Sequence, residues 1–313
     1  MRTASSRLVV AVILSTSLIA AACGSDADTA TESDSEVPTA ITLDVYGTPF
    51  TLDARPERIV SLSPSATEGL FAVGAGPQVL AADEYSDFPA EAPTTDLSGF
   101  TPNVEAIVAY DPDLVVVSYD PGDLVASLEA TGVPVLILDA AVDLADVMRQ
   151  LTILGDLTGN AGTAAEVVAS LEERIDEAVA SAPELDEPLT YFHLLDETLF
   201  TVTSTTFIGS VYGLFGLENV ADAADPDGEA FGYPQLSAEY LVEADPDLVF
   251  LASGDAASFA ELPVLGELRA VSEDGVVTLA PDVSSRWGPR IVDFVEQIAE
   301  AVTRLAATGA LVP

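Results

Sequence analysis

Val104-Glu105-Ala106-Ile107-Val108 runs into Asp111-Pro112-Asp113-Leu114-Val115, and Ala238-Glu239-Tyr240-Leu241-Val242 runs into Asp245-Pro246-Asp247-Leu248-Val249. The acid and the Asp-Pro-Asp-Leu-Val block recur at one offset, Glu105 to Glu239 and Asp111 to Asp245, 134 positions in both cases. Asp-Pro closes a helix and opens a turn, so each copy reads as a short helix, a turn and a buried apolar strand. Asp-Pro-Asp alone is common turn chemistry. With the matched acid in front of it, the block divides the chain into two halves built alike.

Outward from these blocks, short apolar runs alternate with helical patterns. In the first half, Ile41 to Val45 and Pro49 to Leu52 predict a hairpin, and Arg58 to Leu62 a buried strand. Ser63-Pro64-Ser65-Ala66-Thr67-Glu68 then opens a helix that ends at Gly74, with Ser or Thr as its cap. Strands over Gln78 to Ala82, Leu114 to Ser118 and Val135 to Leu138 alternate with helices over Val104 to Ala109, Leu124 to Thr131 and Leu144 to Thr158. Thr163 to Ala182 is the most helical stretch, with Val167, Leu171, Ile175 and Val179 spaced by four and Pro183 and Pro188 beyond it. The second half predicts strands over Leu189 to Leu195, Leu199 to Val202, Leu248 to Ala252 and Val276 to Leu279. Its helices fall over Phe207 to Phe215, Ala238 to Ala244 and Pro289 to Leu305. The fold class is therefore α/β: two three-layer α/β lobes, residues 41–160 and 184–313, joined by a single long backbone helix over 161–183, with a ligand cleft between the lobes.

Composition narrows the function. The chain has 313 residues, 49% hydrophobic, with 52 acidic against 10 basic residues and a net charge of -42; every basic residue is Arg. Nucleic acid and anionic membrane surfaces both require basic patches, so neither is an expected partner. Such acidity suits a solvated surface in a salty medium. One cysteine, Cys23, excludes an intrachain disulfide and a Cys-based metal centre, and one histidine, His193, leaves little transition-metal chemistry, so no bare-metal site and no cofactor are expected. His193 lies in the apolar run Tyr191 to Leu195 and reads as a satisfied strand residue.

Residues 1–22 combine Arg2 and Arg7, an apolar run from Leu8 and the small residues Ala20-Ala21-Ala22 before Cys23-Gly24-Ser25. That pattern reads as a signal peptide. It resembles a bacterial lipoprotein signal, in which Cys23 becomes the acylated N-terminus. Residues 23–40 hold the lipidated Cys and a flexible acidic tether. The expected location is extracytoplasmic, lipid-anchored to the cell membrane.

Tyr85, Phe88, Phe100, Tyr119, Tyr233 and Trp287 fall in loops or just past strand ends, where a cleft for a large planar ligand needs aromatics. Arg286 flanks Trp287 and is a candidate ligand anchor, while Arg290 has the alternative of bridging to an acid at the start of the last helix.

The runs Pro56-Glu57-Arg58-Ile59-Val60-Ser61-Leu62-Ser63-Pro64-Ser65-Ala66-Thr67-Glu68, Tyr85-Ser86-Asp87-Phe88-Pro89, Asn103-Val104-Glu105, Tyr233-Pro234-Gln235-Leu236-Ser237-Ala238-Glu239 and Gly288-Pro289-Arg290-Ile291 together resemble the substrate-binding proteins of iron-siderophore and vitamin B12 ABC importers. The resemblance covers residues 41–306, and its details are most similar to the cobalamin-binding members. It implies two lobes joined rigidly by a helix, with Tyr85, Tyr119 and Tyr233 facing the corrin and Asp282 and Arg286 contacting the ligand. Tyr119 and Tyr233 stand where cobalamin binders carry Trp, and Phe100 lies beside Gly99, where a further Trp is expected. Phe100 and Trp287 complete the candidate ligand set. The resemblance also implies docking on the permease through one acid per lobe, Glu105 and Glu239, the pair already marked by the repeat.

The implied function is capture of a metal chelate, cobalamin or a ferric siderophore, by a monomer that delivers it to an ABC permease with its ATPase. Two other classes stay open. An exported hydrolase would have to use His193 with Asp196 and a distant Ser, in a sequence with no Gly-x-Ser-x-Gly elbow; an adhesion or scaffolding lipoprotein would keep the fold without a ligand.

Overall fold

The computed structural model describes residues 40–307 apart from Asp186 and Pro281. The expected signal peptide, Cys23 and most of the expected tether lie outside the described residues.

A hairpin of β1 (Ile41–Val45) and β2 (Thr48–Leu52) opens the fold. The first lobe continues with β3 (Ile59–Leu62), α1 (Pro64–Ala72), β4 (Val79–Ala82), α2 (Val104–Val108), β5 (Leu114–Val117), α3 (Leu124–Glu129), β6 (Val135–Ile137) and α4 (Leu144–Thr158). Next comes α5 (Ala161–Ser181), 21 residues long. The second lobe contains β7 (Thr190–Leu194), α6 (Phe207–Gly213), β8 (Glu218–Asn219), α7 (Ala238–Ala244), β9 (Leu248–Leu251), α8 (Ala256–Ala260), α9 (Arg269–Ser272), β10 (Val276–Thr278) and α10 (Ile291–Ala307).

The two sheets are parallel and wound identically. Strands run β4-β3-β5-β6 in one and β8-β7-β9-β10 in the other, so in each lobe the first strand sits between the second and the third. Crossovers leave the first strand to one side and the third to the other, which opens a crevice at the carboxyl ends of β3/β5 and β7/β9.

Residues of β3, β5 and β9 are buried on both faces, as the middle of a parallel sheet covered by helices requires. Alternation assigns each face to a core. Leu114 and Val116 pack with Tyr191, Leu248 and Phe250 and with α4, α5 and α10 in a single apolar cluster common to both lobes. Val115 and Val117 face outward onto Ile107, Leu124 and Leu128, while Val249 and Leu251 face Leu241, Phe259 and Leu265. The inner helical layer is thus shared, and α5 packs against α4 on one side and α10 on the other. Its buried stripe is Ala164, Leu171, Ile175 and Ala178, with Val167 and Val179 only partly buried. A period of 3.6 rather than 4 sets that stripe. Arg174 of α5 adds ion pairs to Asp293 and Glu296 of α10.

The repeat acquires a shared geometry. Asp113 accepts the N–H groups of Glu57 and Arg58 at the mouth of β3, and Asp247 accepts the N–H of Thr190 at the mouth of β7. Asp111 and Asp245 both hold positive φ at the helix end, and Arg58 and Arg269 donate to their backbone carbonyls.

One expected strand is absent. Leu199 to Val202 forms a loop whose only ladder contact is an isolated antiparallel bridge between Phe200 and Gln235. Leu199 takes φ 66°, and the N–H groups of Thr201 and Thr203 go to Pro234 and Gly232 carbonyls. That pairing straps the run to the 232–235 loop instead of to the sheet. β8, only two residues long and polar, carries too little pattern to be read from sequence.

Candidate functional site

Loops leaving the carboxyl ends of the first sheet carry three aromatic side chains into contact. Tyr85 lies just after β4, Tyr119 just after β5, and Phe100 in the loop ahead of α2. Tyr85 meets Phe100 edge-on with centroids 5.7 Å apart, and Phe100 meets Tyr119 at 6.4 Å. Their exposures are 50%, 65% and 41%, so the row presents apolar surface to solvent instead of closing a core.

Gly99 explains the absence of a larger residue beside Phe100. A Cβ there would lie 2.5 Å from the Leu62 carbonyl oxygen and 3.0 Å from an Asp83 carboxylate oxygen. No side chain fits that approach, and the aromatic contact moves to Phe100.

Arg286 meets the Tyr85 loop from the second lobe through Asp87, with Asp282 beside it. Arg286 is 9% exposed; its guanidinium reaches Asp87 at 2.5 Å, Asp282 at 3.0 Å and Glu68 at 3.6 Å. Asp87 is held below the usual carboxylate range, first by the hydrogen bond from Arg286. The anchor expected from sequence is therefore charge-compensated by three carboxylates. Arg290 does not bridge to an acid of the last helix as expected. It donates two hydrogen bonds, 2.8 and 2.6 Å, to Glu68 of α1, and lies 4.2 Å over the Phe88 ring. A cavity of about 400 Å³ beside this pair is lined by Phe71, Phe88, Leu171 and Arg174 among others.

Trp287 stacks on Phe207 at 4.7 Å and donates its indole N–H to the Ser284 carbonyl, half buried against the common core. Tyr233 is 38% exposed, and desolvation raises its phenol pKa. It stands on a rigid loop. Asp225 accepts the N–H groups of Ala230 and Gly232, and Gly232, at φ 83°, abuts Thr206 where a Cβ would lie 2.7 Å away. Neither Tyr233 nor Trp287 touches the Tyr85, Phe100 and Tyr119 row through a ring pair. Phe200 and Phe231, 39% and 88% exposed on the strapped loops that also carry Tyr233, are not among the candidates from sequence: Phe200 falls in the run that reads as a strand, and Phe231, two residues before Tyr233, has the same loop position as signal.

Glu105 and Glu239 occupy the same place in the two lobes: exposed, in the first turn of α2 and α7, behind the caps Asn103 and Ser237. Glu239 is lowered by its own backbone N–H and by the Ser237 hydroxyl. Acids at helix N-termini are favoured by the helix dipole.

His193 is not fully satisfied as expected. Fully buried on β7, it shares a 2.7 Å hydrogen bond between Nδ1 and the Tyr212 hydroxyl, while Nε2 has no partner. Desolvation pushes its pKa down to about 3, so the ring is neutral. Asp196 accepts from the N–H and hydroxyl of Thr198 at the surface, and the two do not form the pair that a hydrolase triad would need. Among the described residues, no group of three or more His, Cys, Asp or Glu is placed to hold a metal ion, and no helix is long and apolar enough to cross a membrane.

The model of the periplasmic binding protein family matches residues 59–283. A protein of Halobacterium salinarum named cobalamin-binding protein is 32% identical over 82% of this chain and 72% of its own length. An uncharacterised ABC transporter substrate-binding lipoprotein of Bacillus subtilis, YvrC, is 26% identical over 93% of this chain and 95% of its own. Among solved structures, the periplasmic vitamin B12 binding protein BtuF of Vibrio cholerae superposes with a TM-score of 0.67 at 27% identity, covering 80% of this chain and 98% of BtuF.

Proposed function

Because the chain belongs to the periplasmic binding protein family, we propose that it is the extracytoplasmic receptor of an ABC importer, that it captures cobalamin, and that it passes this ligand to a membrane permease with its ATPase. The observation that carries the substrate is the exposed row Tyr85, Phe100 and Tyr119, a broad apolar surface at strand carboxyl ends suited to a corrin face. Compensation of Arg286 by Asp87, Asp282 and Glu68 leaves little free positive charge for an anionic ferric siderophore, which favours a large neutral chelate. The names of the Halobacterium and Vibrio relatives point the same way.

In this reading Tyr85, Phe100 and Tyr119 meet the ligand from the first lobe and Tyr233 from the second, with Asp282, Arg286 and Trp287 at the junction. Glu105 and Glu239 dock on permease arginines, where ion pairs set register and recognition more than affinity. The protein acts as a monomer, is held to the membrane by acylated Cys23, needs no cofactor and turns nothing over. The name of YvrC and the N-terminal sequence support the anchor.

Titration with cyanocobalamin, followed by calorimetry and Trp287 fluorescence, tests this. Saturable sub-micromolar binding is expected, equivalent to more than about 8 kcal/mol. Saturation by a ferric hydroxamate or catecholate instead would move the substrate to iron; no binding by any chelate would sink the receptor reading.

A further inference from the structure

Beneath Tyr85 lies a buried polar network that links three elements. Ser61 on β3, Thr67 on α1 and Asp83 and Ser86 after β4 are all at most 1% exposed. Thr67 Oγ1 donates to Ser61 Oγ at 2.8 Å and shares a 2.9 Å hydrogen bond with Ser86 Oγ. The Asp83 N–H donates to the Ser61 carbonyl and the Ser86 N–H to the Asp83 carbonyl, which closes a turn with Tyr85 at its third position. The Ser86 hydroxyl and the backbone N–H groups of Ser86 and Tyr85 face the Asp83 carboxyl, whose ionised form burial disfavours. Its Oδ1 has no partner.

A buried carboxyl with one oxygen unpaired costs stability that an apolar side chain would spare. What this one holds is both ring-bearing loops. It faces the Tyr85 turn on one side, and on the other its Oδ2 lies 3.0 Å from where a Cβ of Gly99, the residue before Phe100, would stand. We propose that Asp83 is a positioning residue for ligand binding: it clamps the Tyr85 turn to the Gly99–Phe100 loop and so fixes the edge-to-face pair on which the ligand rests. The inference rests on the reading of that row as the ligand surface.

The test is a double-mutant cycle in the full chain with cyanocobalamin as probe. Asp83→Ala lowers affinity about tenfold, Asp83→Asn, which keeps an acceptor, retains most of it, and in a Tyr85→Ala/Phe100→Ala background Asp83→Ala changes affinity less than about twofold. A loss of structural integrity alone would weaken binding equally in both backgrounds. Amide hydrogen exchange of the ligand-free protein is a second readout: Asp83→Ala speeds exchange at Ser86 selectively. Should Asp83→Ala not fold, Ser86→Ala, which removes the hydroxyl between Asp83 and Thr67, takes its place in the same cycle. A folded variant with unchanged affinity, or an equal loss in both backgrounds, overturns the inference alone. A wild type that takes up no cobalamin overturns the functional reading as well.

Discussion

Arg290, at the start of the last helix, grips both carboxylate oxygens of Glu68, 222 positions earlier on the first helix, at 2.8 and 2.6 Å. Glu68 is 2% exposed, and Arg286 approaches the same carboxylate at 3.6 Å. The two lobes are therefore fastened by a buried charge cluster as well as by the core shared through α4, α5 and α10.

Removing Glu68 leaves Arg290 poorly compensated in that cluster. Glu68→Ala should destabilise the protein by about 2–4 kcal/mol, toward the range seen when one partner of a buried pair is lost, and Glu68→Leu combined with Arg290→Met should recover part of it. Urea unfolding of the three variants at one salt concentration measures both.

Acid should weaken the protein in two windows. His193 is depressed from 6.5 to about 3 in the fold, so the unfolded chain binds the extra proton between those values. Stability then falls as pH drops below about 6.5, and the fall ends near 3. His193→Gln should flatten this part of the stability curve. Asp87, lowered below 3.8 by Arg286, contributes stability above its ordinary pKa and loses it as pH falls through the lower folded value. Asp87→Asn should remove that second, smaller limb in melts between pH 2 and 5.

Salt should act in the opposite sense to that expected of isolated surface pairs. With a net charge of -42, self-repulsion dominates the long-range electrostatics, and counter-ions relieve it. Melting temperature should rise from about 0.1 M to 2 M KCl; a flat or falling trend would show that local pairs such as Arg174 with Glu296 outweigh the net charge.

Tyr85→Ala, Phe100→Ala and Tyr119→Ala should each weaken cobalamin binding by about 1–2 kcal/mol, with little change in melting temperature because all three rings are about half exposed. Trp287→Phe should instead lower stability, since its indole packs on Phe207 and bonds Ser284.

Gly99→Ala probes the close approach directly. Its methyl would meet the Leu62 carbonyl at 2.5 Å, so the 98–100 loop must shift; both stability and affinity should drop, whereas Gly162→Ala on α5, with open space around it, should leave affinity unchanged.

The chain's local chemistry determined its elements. α4 and α7 have the bounds that their periodicity predicts, because a helix is specified by contacts three and four residues apart and by its caps, Asp143 and Ser237. The duplicated Asp-Pro-Asp block foretold two lobes of one plan, and aromatics placed just past strand ends foretold the Tyr85, Phe100 and Tyr119 row, since parallel strands deliver the residues beyond their carboxyl ends to the same edge of the sheet. Tertiary structure alone decided the rest. Nothing in the local pattern of Glu68, Asp83 and Asp87 marks burial or a partner, and only packing buried the first two and set the first and third against arginines about 200 positions away. Likewise Leu199 to Val202 has a strand's composition but finds its backbone partners on the 232–235 loop. Burial, ion pairing and strand pairing are properties of what meets across the fold, and a charge or an apolar run has the same local pattern whether or not its partner arrives.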